Sequence, residues 1–187
     1  MKTAIILHGM PDKEEYFDPD NPSQSNRHWF PWLQKQFALN NILAQTLEMP
    51  KPYEPIYEDW KEMFERMPID SETTLVGHSL GAGFLVRWLS ESDKKVGKVV
   101  LVAPWLDPTD IIKPFFDFEI DESISTKTES LSIFYSTNDF EDIQDSVTKL
   151  KGSLKNINWK EFENKGHFCT EDLGGPEFPE LRDLLIN

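Results

Sequence analysis

Ser79 stands at the centre of Gly77-His78-Ser79-Leu80-Gly81, between a short apolar run, Thr73 to Val76, and a helical pattern that begins at Leu80. A Gly-x-Ser-x-Gly pentapeptide between a strand and a helix predicts a nucleophile elbow. The serine there holds strained backbone angles and presents its hydroxyl at the end of the strand. Side chains two residues before and after the serine would run into neighbouring backbone, and glycine at 77 and 81 removes both obstacles. The bare pentapeptide recurs by chance in many proteins; the strand before it and the helix after it give it meaning.

A serine hydroxyl is a weak nucleophile at neutral pH, so Ser79 needs a base within hydrogen-bond reach and a third group to fix the base's tautomer. The chain offers His8, His28, His78 and His167. His167 follows the last apolar run, on a loop leading to the final helical segment. His8 ends the first run, His28 sits in a long polar segment, and the His78 side chain is expected to point away from its neighbour Ser79. Position therefore selects His167. For the acid, Asp139 directly follows Leu131–Tyr135 in Ser136-Thr137-Asn138-Asp139, with Asp142 and Asp145 as nearby alternatives. Asp142 falls where the next helix should start, a place where a carboxylate caps free amides. The chain order Ser79, Asp139, His167 is the one expected of a nucleophile-elbow hydrolase. The developing oxyanion needs backbone donors: the Leu80 amide at a helix N-terminus is one, and Met10, after His8-Gly9, is chosen as the second.

Other chemistries lack their residues. The chain has no glycine-rich phosphate loop and no zinc-like Cys/His cluster, so no metal or organic cofactor is expected. Cys169 is the single cysteine, which excludes an intrachain disulfide and points to a reducing compartment, most simply the cytoplasm. The run Ala4 to Leu7 is too short for a secretory signal and reads as a first strand. No window approaches the roughly 18 consecutive apolar residues of a membrane span. Thirty-three acidic against nineteen basic residues give a formal net charge of −14. That charge repels phosphate backbones and anionic lipid, so neither nucleic acid nor membrane is an expected partner.

The positioning elements follow from periodicity. Apolar, β-rich runs recur at Thr3–Leu7, 41–46, 73–76, Lys98–Val102, Leu131–Tyr135 and Ile157–Phe162. Between them lie helical stripes: Trp29 to Leu39; Ile56, Trp60, Met63, Phe64 and Met67; Leu80, Phe84, Leu85, Trp88 and Leu89; Ile143, Val147, Leu150 and Leu154; and Leu181, Leu184 and Leu185. Alternating strands and helices imply a parallel sheet covered on both faces, a three-layer α/β/α sandwich. With 187 residues, 39% of them hydrophobic, one domain over 1–187 can bury a sizeable core. Two segments resist the pattern, Pro11 to His28 and Pro104 to Ser130, and both read as loops at the carboxyl ends of strands, where open α/β sheets place their ligand crevice. In the second, Trp105, Phe115 and Phe116 either anchor the loop or line a substrate pocket.

Four separated blocks carry a resemblance: Ile5-Ile6-Leu7-His8-Gly9, Leu75-Val76-Gly77-His78-Ser79-Leu80-Gly81, Ser136-Thr137-Asn138-Asp139 and Gly166-His167-Phe168. On these the chain resembles the small α/β-hydrolase-fold serine hydrolases of the retinoblastoma-binding-protein-9 and YdeN type. The resemblance implies a six-stranded parallel sheet of order 2-1-3-4-5-6, no large cap domain, and a triad of Ser79, Asp139 and His167. The chain departs from the family pattern at Phe140, where a proline is common, and at Met10-Pro11-Asp12, which lacks the usual glycines. The expected activity is cleavage of an ester, thioester or small amide of a small-molecule acyl substrate through an acyl-serine intermediate. Two alternatives use the same fold: acyl transfer with the same triad, and a catalytically idle module that binds a protein partner.

Overall fold

The sequence's apolar runs become six strands: β1 (Thr3–Leu7), β2 (Leu43–Leu47), β3 (Thr74–His78), β4 (Val96–Val102), β5 (Thr128–Ser136) and β6 (Asn158–Phe162). The computed structural model describes residues 2–186. All neighbouring strands pair in parallel, in the order β2-β1-β3-β4-β5-β6. Ile5 pairs with Leu75, Leu75 with Val99 and Val99 with Leu131, so an apolar row crosses four strands and is closed to solvent from both sides. Such burial on both faces explains why these strands read as continuous rather than alternating apolar runs.

The helices that form the outer layers are α1 (Lys13–Phe17), α2 (Phe30–Leu39), α3 (Tyr57–Glu65), α4 (Leu80–Glu91), α5 (Glu141–Ser153), α6 (Thr170–Leu173) and α7 (Pro179–Ile186). The central one is α4, whose residues from Leu80 to Leu89 are all buried. Phe64 of α3 meets Phe84 and Trp88 of α4 edge to face, at 5.3 and 5.0 Å. Among the described residues no helix is long and apolar enough to cross a membrane.

Several boundaries differ from the periodicity, each for a local reason. β5 begins three residues before its apolar run, because Thr128 and Ser130 join the ladder opposite Val96 and Lys98 at the polar end of the sheet. The stripe of α3 is Tyr57, Trp60 and Phe64, while Ile56 precedes the helix and is exposed. In α7 only Leu181 and Leu185 turn inward. The segment from Pro11 to His28 is not all loop: it holds α1 and a 3-10 turn over Gln24–Asn26. Because α1 buries none of its residues, it leaves no periodic signal. The segment after β4 likewise carries 3-10 turns at Lys113–Phe116 and Ile124–Lys127.

Candidate active site

Ser79 joins β3 to α4 with φ 54° and ψ −118°, a left-handed backbone at a non-glycine residue. Conformations of this kind cost about 1–3 kcal/mol and persist where the surroundings over-determine them. Here the Ser79 amide donates to the Val102 carbonyl at 2.9 Å, and its own carbonyl accepts from Gly83 at 3.0 Å and Trp105 at 3.2 Å. The two glycines of the elbow are steric necessities. A Cβ on Gly77 would lie 2.6 Å from the Ala82 Cα, and one on Gly81 would lie 2.6 Å from the His8 carbonyl oxygen. Gly83 is a third: its Cβ would sit 2.0 Å from the Trp105 carbonyl oxygen.

At the end of β1, a Cβ on Gly9 would meet the Ser79 Cβ at 3.0 Å, so the following residue, Met10, emerges beside the serine. His8 fixes that turn. Its Nε2 accepts from the Met49 amide at 3.0 Å, which makes Nδ1 the protonated nitrogen, and Nδ1–H donates to the Gly9 carbonyl at 2.7 Å. In a trans peptide the amide points opposite to the carbonyl, so His8 also orients the Met10 N–H. Leu80 is the first residue of α4, and its N–H has no intrahelical acceptor.

His167 Nδ1 lies 2.9 and 3.1 Å from the two carboxylate oxygens of Asp139, whose side chain is fully buried. The Phe140 amide donates to the same carboxylate at 2.7 Å. Of the alternative acids, Asp142 accepts from the Ile143 amide in the first turn of α5 at 2.9 Å. The imidazole of His167 is carried on a loop fastened residue by residue. Lys165 N–H donates to Ser136 Oγ, Gly166 N–H to Asn138 Oδ1, and the His167 and Cys169 amides both donate to Asp172 Oδ2. Trp29 Nε1–H donates to the Phe168 carbonyl at 3.1 Å. The His167 carbonyl accepts from His78 Nε2–H at 2.8 Å. The His78 ring lines the same cleft as Ser79, 4.8 Å from the His167 ring, and holds the backbone of the candidate base. Its sequence signal is only that it adjoins the serine.

Two clefts meet at Ser79 and His167. One, about 290 Å³, is lined by Gln24, Arg27, His28 and His78 together with Ser79, His167 and Met10. The other, about 210 Å³, is lined by Trp105, Ile111, Phe140, Asp142 and Ile143 with Ser79, His167 and Met10. Burial of three imidazoles holds them neutral. The pKa of His28 is lowered to about 4 by burial and then by the Arg27 charge. His8 is lowered by burial, and His78 is lowered well below the ordinary value by burial and by the neighbouring imidazoles. Burial, with Asp172 and Glu171 nearby, pushes the Cys169 thiol up to about 12, so it is no thiolate nucleophile at neutral pH.

Of the three aromatics of the long loop, only Trp105 reaches these clefts. Phe115 packs edge to face on Tyr57 and Trp60 at 5.7 and 5.3 Å, and Phe116 lies against Trp105 and the helix at Gly83. Their job is to seat the loop on α3 and α4. A larger cleft of about 460 Å³ lies there, beside Arg87 and Phe115, and contains neither Ser79 nor His167. Arg87 is committed to Glu91 and to the carbonyls of Pro114 and Phe115. Among the described residues no cluster of His, Cys, Asp and Glu is arranged to hold a metal.

Fold and elbow define an α/β-hydrolase, and residues 21–184 match the serine hydrolase family, to which the chain belongs. Along its whole length it is 27% identical, over 193 residues, to YdeN of Bacillus subtilis (strain 168), covering 95% of that protein. The crystal structure of the ydeN gene product superposes with a TM-score of 0.78 at 25% identity, covering 99% of this chain and 97% of that one. Est1E from Butyrivibrio proteoclasticus, solved with ferulic acid bound, shares the fold at a TM-score of 0.67 and 11% identity, covering 100% and 87% of the two chains. The YdeN-type resemblance carried by four short blocks therefore extends over the whole chain, and the strand order it implied is the order observed.

Proposed function

We propose that the protein cleaves an ester, thioester or small amide of a small-molecule acyl compound through an acyl-serine intermediate. Ser79 is the nucleophile, His167 the base and then the acid, and Asp139 the group that orients His167. The observation that carries this reading is the pair of contacts, 2.9 and 3.1 Å, between His167 Nδ1 and a carboxylate closed to solvent. An acceptor on that side keeps the proton on Nδ1 and leaves the Nε2 lone pair free for the serine proton.

As Ser79 Oγ bonds to the substrate carbonyl carbon, its proton passes to His167 Nε2 and negative charge moves onto the carbonyl oxygen. The Leu80 and Met10 amides receive that charge, each donor being worth about 3 kcal/mol in comparable sites. Collapse breaks the bond to the leaving group, which departs with the proton from Nε2. Water then repeats the sequence on the acyl-serine, yielding the acid and restoring Ser79 and His167. The same reading takes residues 1–187 as one catalytic domain working in a reducing compartment, since the lone Cys169 has no intrachain partner.

The test is Ser79→Ala, read by labelling with a fluorophosphonate probe and by hydrolysis of p-nitrophenyl acetate. Both signals are expected to vanish while the circular dichroism spectrum is unchanged. Equal labelling of the variant and the parent would remove Ser79 from its role.

A further inference from the structure

The two clefts beside Ser79 differ in chemistry, and that difference restricts the substrate. The smaller cleft is walled mainly by the apolar Trp105, Ile111, Phe140 and Ile143, and Asp142, which accepts from the Ile143 amide, is also in its lining. Ile111 and Phe140 are two-thirds exposed, and Met10 at the same rim is 37% exposed, so three of the large hydrophobic side chains left open to water gather round one groove. Scattered exposed hydrophobics need no explanation, but a cluster of them on a cleft marks a binding surface for an apolar group.

The other cleft is polar. Gln24 is more than nine-tenths buried, lines this cleft, and its carboxamide has no hydrogen-bond partner among the described residues. Its polar atoms are not among the fully buried unpaired groups, so the amide is wetted from the cleft, and a ligand's hydroxyl or amide can take the place of that water. His28 adds a donor. Its Nδ1 accepts from the Thr170 amide at 3.3 Å, which leaves the hydrogen on Nε2, and Nε2 has no protein partner. The fixed charges in the wall cancel: Arg27 is ion-paired with Glu15. Burial also keeps His28 uncharged, with its pKa at about 4. At about 290 and 210 Å³, each cleft falls below the roughly 300–1,000 Å³ that takes a drug-sized molecule, so each holds a fragment only.

Resting on the hydrolase reading above, we infer that the substrate is amphiphilic. One side of its scissile bond is a short alkyl or single-ring group lying on Trp105, Ile111 and Phe140. The other is a compact, uncharged hydroxyl- or amide-bearing group hydrogen-bonded to Gln24 and His28. A carboxylate or phosphate on the polar side finds no unpaired cation in that cleft, and a second alkyl group would strand the Gln24 amide.

Four synthetic esters test this: butyl butyrate, 2-hydroxyethyl butyrate, butyl glycolate and 2-hydroxyethyl glycolate. One of the two mixed esters is expected to exceed both butyl butyrate and 2-hydroxyethyl glycolate in kcat/KM by about tenfold, the order of one or two neutral hydrogen bonds. Gln24→Met keeps the volume and removes the polar groups. It should raise KM for the preferred ester about three- to tenfold and shrink its advantage over butyl butyrate. Ile111→Asn, at an exposed position that folding does not depend on, should shrink the advantage over 2-hydroxyethyl glycolate. Turnover of butyl butyrate equal to both mixed esters, or an unchanged ratio in both variants, overturns the inference. In that case fluorophosphonate labelling of Ser79 persists and the hydrolase reading survives; absence of labelling together with absence of any turnover removes both.

Discussion

Glycine to alanine inside a helix normally stabilises a protein by about 1 kcal/mol, because alanine has the higher helix propensity. Gly83, in the first turn of α4, should do the reverse. An alanine Cβ there lies 2.0 Å from the Trp105 carbonyl oxygen and 2.8 Å from Phe116 Cζ. Relief requires more than 1 Å of movement by a backbone atom, not the swing of a side-chain tip. Overpacking of this sort costs about 3 kcal/mol, the upper end of its usual range, which leaves a net loss of about 2 kcal/mol after the helical gain. For a chain of this size that is a fall in Tm of about 4–8 °C by scanning calorimetry. The strain also reaches Ser79, since the Trp105 and Gly83 amides both donate to its carbonyl. Fluorophosphonate labelling should therefore slow as well. Gly152 in α5 is the control, because a Cβ there meets nothing within 4 Å. Gly152→Ala should raise Tm by about 2–4 °C. A Gly83→Ala protein as stable as the parent would refute the reasoning that close approach of Trp105, and not helix chemistry, dictates glycine at this position.

Asp139→Asn offers one oxygen where the Phe140 amide and His167 Nδ1–H both need an acceptor; its NH2 then faces Nδ1 and drives the proton to Nε2. A loss in kcat of about 10³-fold or more at little change in KM is expected from single-ester kinetics, and near-normal kcat would contradict the assigned tautomer. His78→Phe removes the donor to the His167 carbonyl and should cost about 1–3 kcal/mol in urea denaturation, with a fall in kcat larger than any change in KM. Acid should weaken the fold through the buried imidazoles. With folded pKa values of His8, His28 and His78 below the unfolded value of 6.5, the unfolded chain binds more protons as pH falls. Stability is therefore whole above pH 6.5 and is lost on the way down to about pH 4, where His28 titrates. His28 alone accounts for about 3 kcal/mol at most. Urea midpoints measured from pH 7.5 to 4.5 should slope downward, less steeply for His28→Phe, and a flat profile in the parent would count against burial of neutral histidines.

What could be read from the sequence was whatever a single local rule controls. The Gly77 collision, with Ala82, is local to one turn, so the pentapeptide announces it, and the doubly buried strands announce themselves as apolar runs; the Gly81 collision is with the Leu7 and His8 carbonyls at the end of β1, and only the recurring elbow pattern makes it legible. Strand-end position separated Asp139 from Asp142, because a residue at a carboxyl edge can face the crevice whereas one in the first turn of α5 turns its carboxylate to a helix amide. What stayed hidden depends on residues far apart in the chain. Gly83 looks like any helical glycine until Trp105, 22 positions on, presses against it. His78 looks idle beside the serine because its partner, the His167 carbonyl, is 89 residues away. Phe115 and Phe116 share composition with Trp105 but not surroundings, since the 3-10 turn at Lys113–Phe116 seats both rings against α3 and α4. The polar cleft is the extreme case. Gln24 and His28 lie in a charged, proline-rich stretch with no periodic face, and only the closing of that stretch over β1 and the His167 loop turns two ordinary polar residues into the wall of a cleft beside Ser79. Chemistry at the centre of such a site is legible because bond-making tolerates few residue types. Selectivity at its edges is not, because many sequences can wall a cleft, and the fold alone decides which side chains do.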